Sequence, residues 1–143
     1  MNRKENSAKL FVNRERWRGS LAESFRHAFR GFAWVFRTER NFRIHVGASV
    51  LLGASGWFFR LDPPEWAIVI LAAALVLVAE TMNTAIEYLA DAVHPQPHPL
   101  VGRAKDAASA SVLIAAVAAT VLGAIVLLPK LWQLWETGQR PGG

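Results

Sequence analysis

Residues 107–128, AASASVLIAAVAATVLGAIVLL, contain no charged side chain. As a helix rising about 1.5 Å per residue, this stretch is long enough to cross a hydrocarbon core about 30 Å thick. It reads as a membrane span, and the rest of the chain arranges itself around it. A second span is expected from Ala67 to Ala90, because no residue from Trp66 to Ala79 is charged or strongly polar. Its far end is polar. A third, shorter span is expected from Phe42 to Phe59, opening with Arg43 and His45. The composition agrees: 143 residues make one ordinary domain, and 52% apolar with 19% charged side chains is rich for a soluble chain of that size.

Basic residues orient the spans, since cytoplasmic segments carry the excess of Lys and Arg. Of the 16 basic residues, Arg3, Lys4, Lys9, Arg14, Arg16, Arg18, Arg26, Arg30, Arg37, Arg40 and Arg43 precede or open the first span. The first loop, RLDPPE (60–65), has only Arg60, and the second, HPQPHPLVGRAKD (94–106), has Arg103 and Lys105. The expectation is a multi-pass membrane protein. On this reading its N-terminus and second loop would be cytoplasmic, and the C-terminal KLWQLWETGQRPGG would lie outside with Trp132 and Trp135 as interfacial anchors. The segment before Asn41 shows no apolar core or cleavage site of a secretory signal peptide, so insertion rests on the spans themselves. The absence of cysteine excludes disulfides, thiolate metal sites and cysteine nucleophiles. A net charge of +5 could serve nucleic acid, but the charge lies beside a membrane segment rather than on a soluble module. Anionic lipid is the better partner, and no nucleic acid is expected.

Ahead of the first span, SLAESFRHAFRGFAWVF (20–36) places Leu21, Phe25, Phe29, Phe32 and Phe36 at helical spacing. At about 100° per residue they fill an arc of about 80°, with Arg26, Arg30 and Arg37 on the other side. This is an amphipathic helix that either packs its Phe stripe on the spans or lies in the headgroup layer over anionic lipid.

The polar end of the second span, ETMNTAIEYLAD (80–91), carries Glu80, Asn83, Glu87 and Asp91 at steps of three, four and four. On a helix these steps keep all four within an arc of about 80°, a single stripe that Thr84 borders. Carboxylates stacked this way repel and resist desolvation unless a cation sits against them. The plain alternative is that Glu87 and Asp91 lie at the water interface and Glu80 pairs with a buried Arg or His. Two further polar clusters fall at the same level. In TERNFRIH (38–45), Glu39 and Arg43 stand as i,i+4 partners on a helical reading, as do Asn41 and His45; ordinary snorkelling would also explain them. In GRAKDAASAS (102–111), Arg103, Lys105, Asp106 and Ser109 open the last span, where cations oppose the helix macrodipole and an anionic ligand would account for them.

Carboxylates without His or Cys partners suit a hard cation such as Mg²⁺, which keeps water and phosphate in its shell. With Lys and Arg nearby, the inventory matches phosphoryl transfer from a nucleotide. The chain has neither G-x-x-x-x-G-K-[ST] nor G-x-G-x-x-G, so the site is neither a P-loop nor a Rossmann site.

ERNFRIH, ETMNTAIEYLAD, HPL and AKDAASASVL, in this order and spacing from about Thr38 to Trp132, resemble the signatures of the prokaryotic diacylglycerol kinase and undecaprenol kinase family. The resemblance implies an all-α protein of the bacterial inner (cell) membrane, a homotrimer with three transmembrane helices per subunit, that phosphorylates a lipid alcohol with ATP and Mg²⁺. Here the amphipathic surface helix would precede those spans. In that pattern Glu80 corresponds to the catalytic base and Glu39 and Glu87 to metal ligands. Glu39, Asn83, Glu87, Asp91, Lys105 and Asp106 line the nucleotide site, and Arg43, His45, Glu80 and Ser109 the substrate site. Three segments follow: a basic region with the surface helix (1–37), the three-span kinase domain (38–132) and a tail (133–143). TERNFRIH, with His45 where diacylglycerol kinases tend to have Glu, NTAIEYLAD and VLLPKLW are similar to undecaprenol kinases. GRAKDAAS, with Gly102, Arg103 and Ser109, is closer to diacylglycerol kinases, and Ala110 stands where the undecaprenol type has Gly. Undecaprenol is the favoured substrate and diacylglycerol the alternative. A competing class is a proton- or ion-conducting subunit with Glu80 as carrier, and a third is an assembly factor whose polar face only packs helices; neither gives Lys105, Asp106 or the Glu39 cluster a role.

Overall fold

A computed structural model describes residues 21–139, with side chains to Glu136. The basic residues from Arg3 to Arg18 and the last residues of the tail lie outside the described part. Four helices follow one another: α1 (Leu21–Thr38), α2 (Arg40–Phe58), α3 (Pro63–Val93) and α4 (Pro99–Gln139). The described residues divide into two units, those up to Trp34 and those from Val35 onward. In the first, Leu21, Phe25 and Phe29 form the expected apolar stripe of α1 and are exposed.

In the second unit α3 is the central element, packing most extensively on α4 and less on α2. Its start is written in the sequence. Asp62 accepts a hydrogen bond from the Glu65 amide while Glu65 accepts one from the Asp62 amide, each 2.9 Å, a reciprocal capping box with Pro63 at the first helical position. At about 1.5 Å per residue this helix is about 46 Å long, well beyond a hydrocarbon core. Its buried residues Val69, Ala72, Val76, Glu80, Asn83 and Thr84 keep one helical face throughout. The same packing surface therefore changes from apolar to polar without leaving its neighbours. Leu61, Val69 and Val126 form the core at the other end, with Leu52, Trp66 and Leu127 against them.

The turn from α2 to α3 is a Schellman cap, in which the Leu61 amide bonds the Gly56 carbonyl at 3.0 Å and the Arg60 amide bonds the Trp57 carbonyl at 3.2 Å. Arg60 takes φ 52° there, a left-handed conformation that costs a side chain about 1 kcal/mol. Gly56 is needed for another reason: a Cβ would meet Leu61 Cδ1 and the Trp66 ring, both at 3.0 Å.

α3 and α4 are each long and apolar enough to cross a membrane, and only 28% and 17% of their most apolar windows are buried. Core helices of soluble proteins would be mostly covered, whereas Ile70, Leu71, Leu113, Ile114 and Ile125 are all exposed. Among the described residues α2 does not meet that test; its Arg40, Arg43 and His45 dilute the apolar run. α4 begins at Pro99 rather than at the GRAKD motif, and its Pro129 removes the amide that would bond the carbonyl one turn back. Of the alanines on α3 and α4, Ala72 and Ala115 are buried within the chain, while Ala74 is exposed.

Candidate active site

The stripe on α3 is graded in burial. Glu80 is 4% exposed, Asn83 9% and Thr84 2%; Glu87 is half-buried and Asp91 open to solvent. The Asn83 amide nitrogen donates to Glu87 Oε1 at 3.2 Å, so one turn of helix links the two side chains. The Asn83 Oδ1 is buried and has no hydrogen-bond partner among the described residues. Glu80 lies within electrostatic reach of His45 on α2 and of the Glu87 and Glu39 carboxylates. Two of the three polar clusters thus meet around Glu80.

Glu39 does not stand where a continuous helix would put it. It is the extended residue between α1 and α2, at φ −97° and ψ 117°, and serves as the N-cap position of α2. Its carboxylate is therefore not paired with Arg43 as the i,i+4 spacing suggests. Arg43 Nη1 instead donates to the Phe36 and Arg37 carbonyls, at 3.2 and 3.0 Å, satisfying acceptors left open at the end of α1. Glu39 Oε1 accepts from the Tyr88 hydroxyl at 3.5 Å, the outer limit of such a bond. Tyr88 is absent from the residues that the sequence points to, and a phenol next to Glu87 is the one signal for it. On α2, Ser49 Oγ donates to the His45 carbonyl at 2.8 Å.

Lys105 pairs with Asp91 Oδ1 at 2.6 Å, so a cation meets the outer end of the stripe. It lies six residues inside α4, beyond the first turn where the macrodipole acts, so the expected conflict with the helix dipole does not arise. The start of α4 is capped by His98, whose Nδ1 accepts from the Leu100 amide at 3.2 Å, with Pro99 as the first helical residue. This is the local meaning of HPL. Asp91, His94, His98, Gly102 and Lys105 border an open concavity of about 600 Å³. Asp106, Ser109 and Arg103 are exposed on α4, outside the contacts that join Lys105 to the stripe.

A second, apolar cleft of about 600 Å³ begins at His45 and Ser49 and runs past Val76, Ala116 and Thr120 to Leu131. Glu39 and Glu87 each lie within electrostatic reach of Glu80, carboxylate oxygens of this kind suit a hard cation completed by water and phosphate, and the orphaned Asn83 oxygen adds an acceptor. No three His, Asp or Glu side chains converge as a ready-made metal cage among the described residues.

A family model described as "Prokaryotic diacylglycerol kinase" matches residues 26–127. The chain belongs to the prokaryotic diacylglycerol kinase family. "Undecaprenol kinase" of Bacillus subtilis (strain 168) is 39% identical over 109 residues, which cover 76% of this chain and 89% of that protein. "Diacylglycerol kinase" of Synechocystis is 39% identical over 116 residues, covering 80% and 66%. "Diacylglycerol kinase" of Escherichia coli (strain K12) is 35% identical over 95 residues, covering 66% and 76%. The kinase acts on a membrane lipid, and the readings as an ion-conducting subunit or a packing factor fall away.

Proposed function

We propose that this kinase transfers the γ-phosphoryl group of ATP to undecaprenol at the cytoplasmic face of the bacterial inner membrane. The single observation that carries the reading is the graded stripe: Glu80 buried at its inner end, Asn83 and Glu87 linked beside it, and Asp91 bound to Lys105 in water. Glu80 takes the proton from the lipid hydroxyl as its oxygen attacks the γ-phosphorus, and the bond from that phosphorus to the bridging oxygen of ADP breaks. Asn83, Asp91, Lys105 and Asp106 hold the nucleotide, with Lys105 compensating phosphate charge as Asp91 yields it. Glu39 and Glu87 are the residues that would hold Mg²⁺, whose chemistry is neutralisation of charge on the phosphates. Arg43, His45 and Ser109 orient the lipid headgroup, and the cleft that starts at His45 takes its apolar chain.

α2 is the third span, with the N-terminus on the cytoplasmic side and α1 over anionic lipid. The active unit is a homotrimer: Asp106, Ser109 and Arg43 are exposed in one chain, which is the pattern expected of a site closed by a neighbouring copy. Undecaprenol is favoured by His45 and by the likeness to the Bacillus subtilis protein over most of its length. Diacylglycerol is the second reading, favoured by Gly102, Arg103 and the likeness to the Synechocystis protein. Purified protein in mixed micelles, given MgATP and both alcohols in competition, decides between them through the ratio of kcat/KM. A ratio above unity for diacylglycerol would reverse the assignment, and no lipid-dependent ATP consumption with either would reject both.

A further inference from the structure

The other end of α3 carries a feature that phosphoryl transfer does not use. Arg60 and Glu80 are separated by a length of helix of about 30 Å, which places Arg60 at the leaflet opposite the carboxylate stripe. Arg60 holds φ 52° at a helix terminus where glycine fits without strain, and among the described residues its guanidinium makes no hydrogen bond or ion pair. A strained residue kept with a free cationic head invites a functional explanation.

The guanidinium borders a cavity of about 330 Å³ lined by Phe58, Phe59, Arg60, Lys130, Gln133 and Leu134. Lys130 sits 2.9 Å from Glu65 Oε1, and the other Glu65 oxygen accepts the Asp62 amide. Asp62 in turn accepts the Glu65 amide. Asp62 is thus committed to the α3 cap and Glu65 is shared between that cap and Lys130, and neither carboxylate lines the cavity. Its polar wall offers Arg60, Lys130 and the Gln133 amide; the remaining wall is aromatic and aliphatic. Trp57, Trp132 and Trp135 are exposed at the same end of the molecule, as in the aromatic belt at a membrane interface.

We infer that this cavity binds the phosphodiester of an anionic glycerophospholipid in the leaflet opposite the active site. Arg60 meets the phosphate oxygens with its paired N–H groups, Lys130 adds a second cation from α4, and Phe58, Phe59 and Leu134 cover the glycerol and first methylenes. The absence of a carboxylate from the wall disfavours an ethanolamine headgroup, whose ammonium would find no partner. The bound lipid ties the α2–α3 turn to α4 from outside, and lies beyond the proposed reaction.

The test uses the full chain in nanodiscs of phosphatidylcholine containing phosphatidylglycerol or phosphatidylethanolamine, with retained lipids counted by native mass spectrometry. The parent protein should retain phosphatidylglycerol over both other lipids. Arg60→Asn tolerates a positive φ while losing the charge, and Arg60→Gly relieves the strain altogether, so both fold. Each should lower phosphatidylglycerol retention about tenfold, the scale of one charge-assisted hydrogen bond, with Arg60→Lys intermediate. The basic N-terminus is common to all variants, so differences among them report on Arg60. Kinase turnover should be unchanged in all three, which separates this inference from the proposed reaction. Equal phosphatidylglycerol retention in parent and Arg60→Gly, equal retention of phosphatidylethanolamine by the parent, or displacement by millimolar inorganic phosphate would each overturn it.

Discussion

Replacing Glu80 by Gln removes a charge and a basic oxygen from the inner end of the α3 stripe while keeping the side chain's shape. Because Glu80 is 4% exposed and lies on the face that also buries Val76 and Asn83, the variant should keep the helix packing and the proposed oligomer. Two free-energy terms must be kept apart. A buried amide whose N–H groups find no acceptor costs about 1–3 kcal/mol of stability, and shows in the melting temperature. Loss of a positioned general base lowers the rate about 10²- to 10⁴-fold, equivalent to about 3–5 kcal/mol of barrier. Nucleotide affinity should change little, since the Asn83–Glu87 and Asp91–Lys105 pairs lie outside the substitution. The assay is single-turnover phosphorylation of undecaprenol at saturating MgATP, which isolates the chemical step from product release, together with ATP binding by the same preparation. Single-turnover rates within about threefold of the parent, with binding intact, would remove Glu80 from the role of base.

Glu39→Gln and Glu87→Gln should each raise the Mg²⁺ concentration giving half-maximal turnover more than they change lipid KM; superimposable Mg²⁺ titrations would count against ligation. Mixing Glu80→Gln with Glu39→Gln subunits should restore activity in proportion to the binomial share of intact pairings if the site is shared between copies. Silence at every ratio, with mixed oligomers demonstrated, would place each site within one chain. Gly56→Val should destabilise the fold by about 1–3 kcal/mol through contact with Leu61 and Trp66, read as a lower thermal midpoint in detergent; an unchanged midpoint would mean the α2–α3 turn yields freely.

What is legible in the sequence is what a single helix can encode. The period of α3 puts Glu80, Asn83, Glu87 and Asp91 on one face, and the structure keeps them there because the same period governs Val69, Ala72 and Val76 beneath them. Partners across helices are not legible. The Lys105–Asp91 pair depends on how α3 and α4 pack after the His94–His98 loop, so position on α4 alone suggests a dipole conflict instead. The Glu39–Arg43 spacing misleads because one extended residue interrupts the helical count, and no proline or glycine announces it. Arg60 lacks the usual sign as well, since glycine normally marks a left-handed cap.

The length of α3 carries a consequence for how two reactants with opposite solubilities can meet. A rod of about 46 Å set across an oil layer of about 30 Å must leave several turns in water. With the capped end at Asp62 set at the far interface, those turns are the last ones of the helix. Glu80 then falls close to the boundary, with the Glu87 and Asp91 turns on the wet side. A greasy alcohol can present its hydroxyl there without being lifted from the bilayer, and a polyanionic nucleotide can reach the same point without being drawn into oil. In the proposed reaction each reactant stays in its own solvent, and the phosphoryl group is passed across the boundary between them.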